Sequence, residues 1–178
     1  MNASDEALAK RARSLRLLLF DVDGVLTDGT LLIDSAGSDT KPFFIKDGAA
    51  LTWAPREGLD VGILSGRRSM AVSRRAEELG ITLVMQGKVD KREAYEEILR
   101  TKGLGDAEVA YMGDDLLDLT VLTRVGLSAA PADAAPDVRS RVHWVSQHPG
   151  GRGAVREFIE LLLRLRGRWD AVVQGYLT

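Results

Sequence analysis

The chain has 178 residues, a formal net charge of −2 and no cysteine. That length suits one domain with a real core, and the mildly acidic balance, with a pI near 5.8, speaks against a general nucleic-acid binder, which is usually basic. Disulfides and thiolate metal sites are excluded, no apolar stretch is long enough to span a membrane, and residues 1–16 hold no apolar signal core, so a soluble cytoplasmic protein is the expectation.

Residues 4–13 open with Ser4-Asp5-Glu6 and close on basic residues, a short helix whose charges suit its dipole. The apolar run 15–20 reads as a strand buried on both faces. Residues 31–33 and 41–45 flank the polar stretch 34–39, which predicts a β-hairpin. Asp47-Gly48 introduces a helix over about 49–57, closed by Gly58 and shortened or bent by Pro55. A second buried strand at 61–64 runs into Ser65-Gly66-Arg67. A helix over 70–79 stops at Gly80, a third strand covers 81–85, and Asp90 caps a helix reaching about Arg100. A fourth strand at 109–112 ends in Gly113-Asp114-Asp115. A helix over 116–124, short strands at 126–129 and 143–145, a short helix at 136–140 and an amphipathic helix over 153–165 follow. Residues 166–178 show no clear period. Alternating strands and helices predict an α/β fold with a Rossmann-like parallel sheet flanked by helices, whose ligands bind beyond the carboxyl ends of the strands.

The residues at those strand ends carry chemistry. Asp21 and Asp23 are two apart after the first strand, so in an extended segment they point the same way, and Gly24 lets the chain turn. Two like charges aimed at one spot need a cation or a shared proton. Asp21 and Asp114 suit Mg²⁺, a hard cation that takes one or two carboxylates and neutralises phosphoryl charge. An aspartate so placed can be a nucleophile that forms an aspartyl-phosphate, with Asp23 in reach of the leaving oxygen as acid and then base. Ser65 offers a hydroxyl, and Lys91 follows the cap Asp90 at a helix N-terminus, where a phosphate finds amide donors. Each group has a plainer reading alone: an acidic turn at Asp21-Val22-Asp23, a turn at Ser65-Gly66, a helix N-cap at Asp114-Asp115, a solvated helix lysine at Lys91. Lys88 competes with Lys91, and Asp118 faces either the site or water.

Together these segments resemble the haloacid dehalogenase superfamily of phosphotransferases. Asp21-Val22-Asp23-Gly24-Val25-Leu26-Thr27 matches its DxDGxxT pattern, Ser65 and Lys91 its second and third motifs, and Gly113-Asp114-Asp115 with Asp118 its GDDxxD. The Lys46-Asp47-Gly48 step, Gln86-Gly87-Lys88-Val89-Asp90-Lys91 and Gly150-Gly151-Arg152-Gly153-Ala154-Val155-Arg156-Glu157 narrow the resemblance to the 3-deoxy-D-manno-octulosonate 8-phosphate (KDO 8-phosphate) phosphatases, over residues 12–160.

That resemblance implies a Mg²⁺-dependent phosphatase acting on a sugar-acid phosphate, KDO 8-phosphate first. The rivals are a KDN or sialate 9-phosphate and a non-catalytic oligomerising module of the same fold. It implies Asp21 as nucleophile and metal ligand. Asp23 becomes the acid/base with its backbone carbonyl on the metal, and Asp114 the third ligand, supported by Asp115 and Asp118. Ser65 and Lys91 hold the phosphoryl group. Lys91 is preferred to Lys88 by its distance from Gln86. Thr27, Asp47, Gly48, Gly66, Arg67 and Arg156 are the implied substrate-binding residues, with Arg67 on the sugar-acid carboxylate, where a planar fork suits; its plainer reading is a surface arginine. Residues 1–166 are expected to be one phosphatase domain with a hairpin flap at about 29–46 and no large cap domain, and residues 167–178 a tail. The apolar flap and the family together imply a homotetramer in which a neighbour covers each site, unless the hairpin packs on its own domain. Neither a nucleic acid nor a membrane is an expected partner.

Overall fold

Four consecutive apolar residues build the centre of the molecule. The computed structural model describes residues 3–35, 37 and 39–177; Ala36 and Ser38 of the expected hairpin turn lie outside the described residues, as do Met1, Asn2 and Thr178. After helix α1 (Ala3–Ser14), strand β1 (Leu17–Phe20) is buried at every position. Leu18 and Phe20 enter one core, and Leu17 and Leu19 the other, as alternation along a strand requires. A strand covered on both faces has no room for polar residues, and β1 has none.

A small hairpin of β2 (Leu32–Ile33) and β3 (Asp39–Thr40) comes next, with Leu32 opposite Thr40 and Ile33 opposite Asp39. Its second strand ends before Lys41, earlier than the expected strand at 41–45, because Pro42 has no N–H to continue the ladder. Helix α2 (Ile45–Arg56) correspondingly starts at Ile45 rather than near Ala49; Asp47 lies in its first turn and Pro55 in its last. Next come β4 (Asp60–Leu64), α3 (Met70–Glu78), β5 (Leu83–Met85), α4 (Lys91–Lys102) and β6 (Val109–Met112). The remaining elements are α5 (Leu119–Leu122), β7 (Leu127–Ala130), α6 (Pro136–Arg139), β8 (Trp144–Val145), α7 (Ala154–Leu165) and α8 (Trp169–Gln174). The expected helix over 116–124 is shorter: a 3-10 turn at Leu116–Asp118 precedes α5.

The main sheet runs β5-β4-β1-β6-β7-β8, with every pair parallel. The chain builds outward from β1 in both directions, so the strand order reverses beside it. That switch point opens a crevice at the carboxyl ends. Helices α1, α2, α3 and α7 cover one face, while α4, α5 and α6 cover the other.

The segment without a sequence period also packs. Trp169 of α8 meets Trp53 edge-on at 5.6 Å, and Trp53 Nε1 donates to Tyr176 Oη at 2.7 Å. Aromatic rings carry enough apolar area to dock so short a helix against α2 and α7.

Candidate active site

The backbone of the candidate residues is tied to the sheet before any side chain is considered. The Asp21 amide donates to Met112 O at 3.0 Å, the Ser65 amide to Met85 O at 2.8 Å and the Gly113 amide to Ala129 O at 3.2 Å. Each residue leaves its strand at a fixed place. Alternation then sends Asp21 to the side of Leu17 and Leu19, the side packed by α4.

Lys91 waits there at the start of α4. Its N-cap, Asp90, accepts from the amides of Arg92 and Glu93, which sets the helix start and hence the lysine. Lys91 Nζ lies 2.9 Å from Asp21 Oδ1, 2.5 Å from Asp118 Oδ1 and 3.1 Å from Tyr111 Oη. Burial pulls the lysine pKa down, but Asp21 and Asp118 outweigh it and leave the group above its ordinary value. Lys88 points instead to Glu97 at 3.5 Å on the surface. Of the two competing lysines, Lys91 is the one at the carboxylates.

Asp21, Asp114 and Asp118 each bring a carboxylate oxygen within 4.8 Å of the others. Asp118 is already saturated. Its Oδ1 accepts from Lys91 and from Tyr111 Oη at 2.5 Å, and its Oδ2 accepts from the amides of Asp114 at 2.9 Å and Asp115 at 3.2 Å. It therefore shapes the loop that carries Asp114. Asp21 and Asp114 remain for a cation. Burial lifts Asp21 to about 6, with Lys91 lowering it and Asp118 raising it. Burial, then Asp21 and Asp118, lift Asp114 to about 8. Two carboxylates that repel each other in a poorly solvated place fit a hard divalent cation with oxygen ligands.

Gly24 makes this approach feasible. Its φ is +91°, and a Cβ there would fall 2.0 Å from Asp114 Oδ2. The same loop is braced from outside by the Gly150-Gly151 step: a Cβ on Gly150 would fall 1.8 Å from Gly24 O, and the Gly151 amide donates to Val25 O at 2.8 Å. Only glycine lets two backbones lie this close.

A pocket of 170 Å³ gathers Asp21, Asp23, Ser65, Gly66, Arg67, Lys91, Asp114, Asp115 and Asp118. All the expected catalytic and metal-binding residues are among them. Ser65 is buried and its Oγ accepts from the Arg67 amide, while Arg67 is half exposed with Nε 3.8 Å from Asp23 Oδ2.

Thr27, Asp47, Gly48 and Arg156 do not line this pocket. Thr27 is fully buried, its hydroxyl donating to Val22 O at 3.3 Å and accepting from the Gly29 amide, so it shapes the loop. Asp47 accepts from the amides of Gly153 and Arg156 and so holds the first turn of α7 against α2. Gly48 leaves room for Arg75, whose Nη2 a Cβ would meet at 2.0 Å. Arg156 stacks 4.0 Å over the Trp53 ring and pairs with Glu160. Two site residues have no counterpart among the expectations: Tyr111, whose place in the strand before Gly113 was a signal of sorts, and Lys41, which pairs with Asp23 from the hairpin and had none.

Comparison with known proteins defines the class first. Residues 80–159 match the family described as haloacid dehalogenase-like hydrolase. The KDO 8-phosphate phosphatase KdsC of Yersinia pestis is 44% identical over 86% of this chain and 82% of its own length. That of Escherichia coli K12 is 41% identical over 94% of this chain and 88% of its own. The chain belongs to the KDO 8-phosphate phosphatase family. The crystal structure of the Moraxella catarrhalis phosphatase with magnesium, phosphate and KDO has a TM-score of 0.93 to this fold, 34% identity, and coverage of 97% of this chain and 98% of that one.

The raised pKa values of the carboxylate pair make stability depend on pH. Asp21 and Asp114 have folded pKa values above the ordinary 3.8, so ionising them costs stability progressively as pH rises, until it passes about 8. A bound cation removes that cost. The gain in melting temperature on adding Mg²⁺ is expected to be larger at pH 8 than at pH 6 by differential scanning fluorimetry. An equal or smaller gain at pH 8 would refute the pair as the cation site.

Proposed function

We infer that this protein is a Mg²⁺-dependent phosphatase that hydrolyses KDO 8-phosphate to KDO and inorganic phosphate through an aspartyl-phosphate on Asp21. What carries the inference is the convergence of Asp21, Asp23, Ser65, Lys91 and Asp114 on one pocket, in a chain of this family.

The chemistry follows from the contacts. Mg²⁺ held by Asp21, Asp114 and the Asp23 backbone carbonyl would neutralise charge on the phosphoryl oxygens. Lys91 contacts Asp21 Oδ1, an oxygen with a second lone pair left for the cation, and Oδ2 would then attack phosphorus. As the new bond forms, the ester P–O bond breaks and Asp23 gives a proton to the departing sugar oxygen. Asp23 then takes a proton from water, which attacks phosphorus, breaks its bond to Asp21 and restores the free carboxylate. Ser65, the Gly66 amide and Lys91 hold the phosphoryl oxygens in place, which is most of what phosphoryl transfer asks of a protein. Arg67, at the rim, takes the substrate carboxylate with its fork. Thr27, Asp47, Gly48 and Arg156 serve from behind by holding the loop and α7.

The assembly that suits this site is a homotetramer. Leu32, Ile33 and Ile45 are 52%, 60% and 76% exposed on and beside the hairpin, and Leu117 on the pocket rim is 58% exposed. Apolar groups in such number beside an open pocket favour cover by a second copy of the chain. A cytoplasmic location accords with the absence of cysteine; among the described residues no helix is long and apolar enough to cross a membrane.

Phosphate release with Mg²⁺ should be fastest on KDO 8-phosphate in a panel that includes KDN 9-phosphate and simple sugar phosphates; preference for the nine-carbon acid would transfer the assignment to it, and no release would favour a non-catalytic module. Asp21→Asn should lower turnover at least about 1,000-fold, on the scale of losing a nucleophile. Its melting temperature should hold or rise, since one of the repelling charges is gone; substantial residual turnover would remove Asp21 as nucleophile. Arg67→Ala should raise KM about 10- to 100-fold for the sugar acid while barely changing p-nitrophenyl phosphate, as fits loss of a charge-assisted contact. Equal losses on both would exclude Arg67 from carboxylate recognition. Ile33→Asp should reduce the mass seen by light scattering and raise KM; a fully active wild-type monomer would refute the tetramer.

A further inference from the structure

Lys41 is a lysine in an unusual place. It belongs to the hairpin, yet its side chain is only 1% exposed. A buried ammonium needs acceptors, and here they are carboxylates. Nζ donates to Asp23 Oδ1 and lies 3.6 Å from Asp39 Oδ2, a buried oxygen with no hydrogen bond of its own. Asp39 is anchored in turn: its Oδ1 accepts from Ser69 Oγ at 2.9 Å, Ser69 caps α3, and the Ser69 amide donates to Gln86 Oε1 at 2.8 Å. Pro42 restricts the Lys41 backbone to extended conformations. The ammonium is therefore held from behind by α3 and by the residue after β5. It presents one donor to one oxygen of Asp23. The other oxygen, Oδ2, lies on the side of Arg67.

We propose that Lys41 is the positioning residue for Asp23: it occupies Oδ1 and so reserves Oδ2 to exchange the proton with the leaving alcohol and then with water. This rests on Asp23 being the acid/base. It gives the hairpin a part in the chemistry within its own chain, because the carboxylate cannot swing without breaking an ion pair anchored on α3. In the first half-reaction the proton on Oδ2 moves to the sugar oxygen as the P–O bond breaks and the bond to Asp21 forms. In the second, water loses a proton to Oδ2 as it attacks phosphorus.

The leaving group reads this role directly. An alkyl alkoxide is a poor leaving group and needs the proton, whereas p-nitrophenolate leaves without it. Lys41→Met keeps the side-chain length and removes the cation. It is expected to lower kcat/KM on KDO 8-phosphate about 100-fold, the low end of what a general acid contributes, and on p-nitrophenyl phosphate less than about three-fold. Lys41→Arg should recover part of the alkyl-ester activity. Asp39→Asn, outside the pocket, should give a smaller loss with the same selectivity and supplies the test if Lys41→Met does not fold. Asp23→Ala is the control and should show the selectivity in full. Equal losses on both esters in Lys41→Met and Asp39→Asn, beside a selective Asp23→Ala, would overturn the role of Lys41 alone. A non-selective Asp23→Ala would overturn the acid/base assignment, and this inference with it.

Discussion

A charge imbalance at the end of the central strand governs this molecule. Three carboxylates, Asp21, Asp114 and Asp118, converge on one another, and the ammonium of Lys91 pairs with two of them, Asp21 and Asp118. Lys91 and Tyr111 with two backbone amides satisfy Asp118 completely, and Lys91 gives Asp21 one contact. The rest of the negative charge has no partner among these side chains, and the raised pKa values of Asp21 and Asp114 express it. Such a cluster is relieved either by protons, as the raised pKa values show, or by a cation in its working state. The cluster is costly for stability and suited to phosphoryl transfer for the same reason: it is short of positive charge where a cation and a phosphoryl group arrive together.

The rest of the structure serves to hold that cluster in register. Strands covered on both faces leave their ends as the places where polar groups can stand, and at the carboxyl ends β1, β4 and β6 deliver Asp21, Ser65 and Asp114 to one pocket. The helix on one side delivers the lysine through its first turn. Behind the pocket, Asp47 joins α2 to the start of α7, and α7 buries Val155, Phe158, Ile159 and Leu162 in the other core, with Phe158 stacked on Trp144 at 5.3 Å. The residues that touch the chemistry are few, and each is reached from a different element. Little of the site is therefore local in the chain.

That distribution explains what the amino-acid sequence disclosed and what it withheld. The strand ends were legible because apolar runs stop abruptly at Asp21, Ser65 and Gly113, a contrast that needs no tertiary knowledge. Lys91 was legible through its cap. Asp47 and Arg156 were harder: a charged residue in a family motif reads as a ligand for substrate, but Asp47 bonds two amides of α7 and Arg156 lies flat on Trp53, contacts set by the packing of α2 on α7. The start of α2 at Ile45 was obscured because Asp47-Gly48 looks like a helix opening while Phe44, without a capping side chain, does not. The tail docks through Trp169, Val172 and Tyr176, a stripe too short to register as a period in the sequence. Lys41 directly follows the second strand of the hairpin and pairs with a residue 18 positions away, which no local pattern encodes.

The close contact between the Gly150-Gly151 step and the loop after Asp21 also orders events in time. The loop is synthesised early and the strand pairs that support it follow, but the backbone that presses on Gly24 and Thr27 emerges only near the end of the chain. A nascent chain can bury much of the sheet while Asp21 remains on an unbraced turn. The loop after Asp21 then reaches its final form only when the Gly150-Gly151 step docks on it.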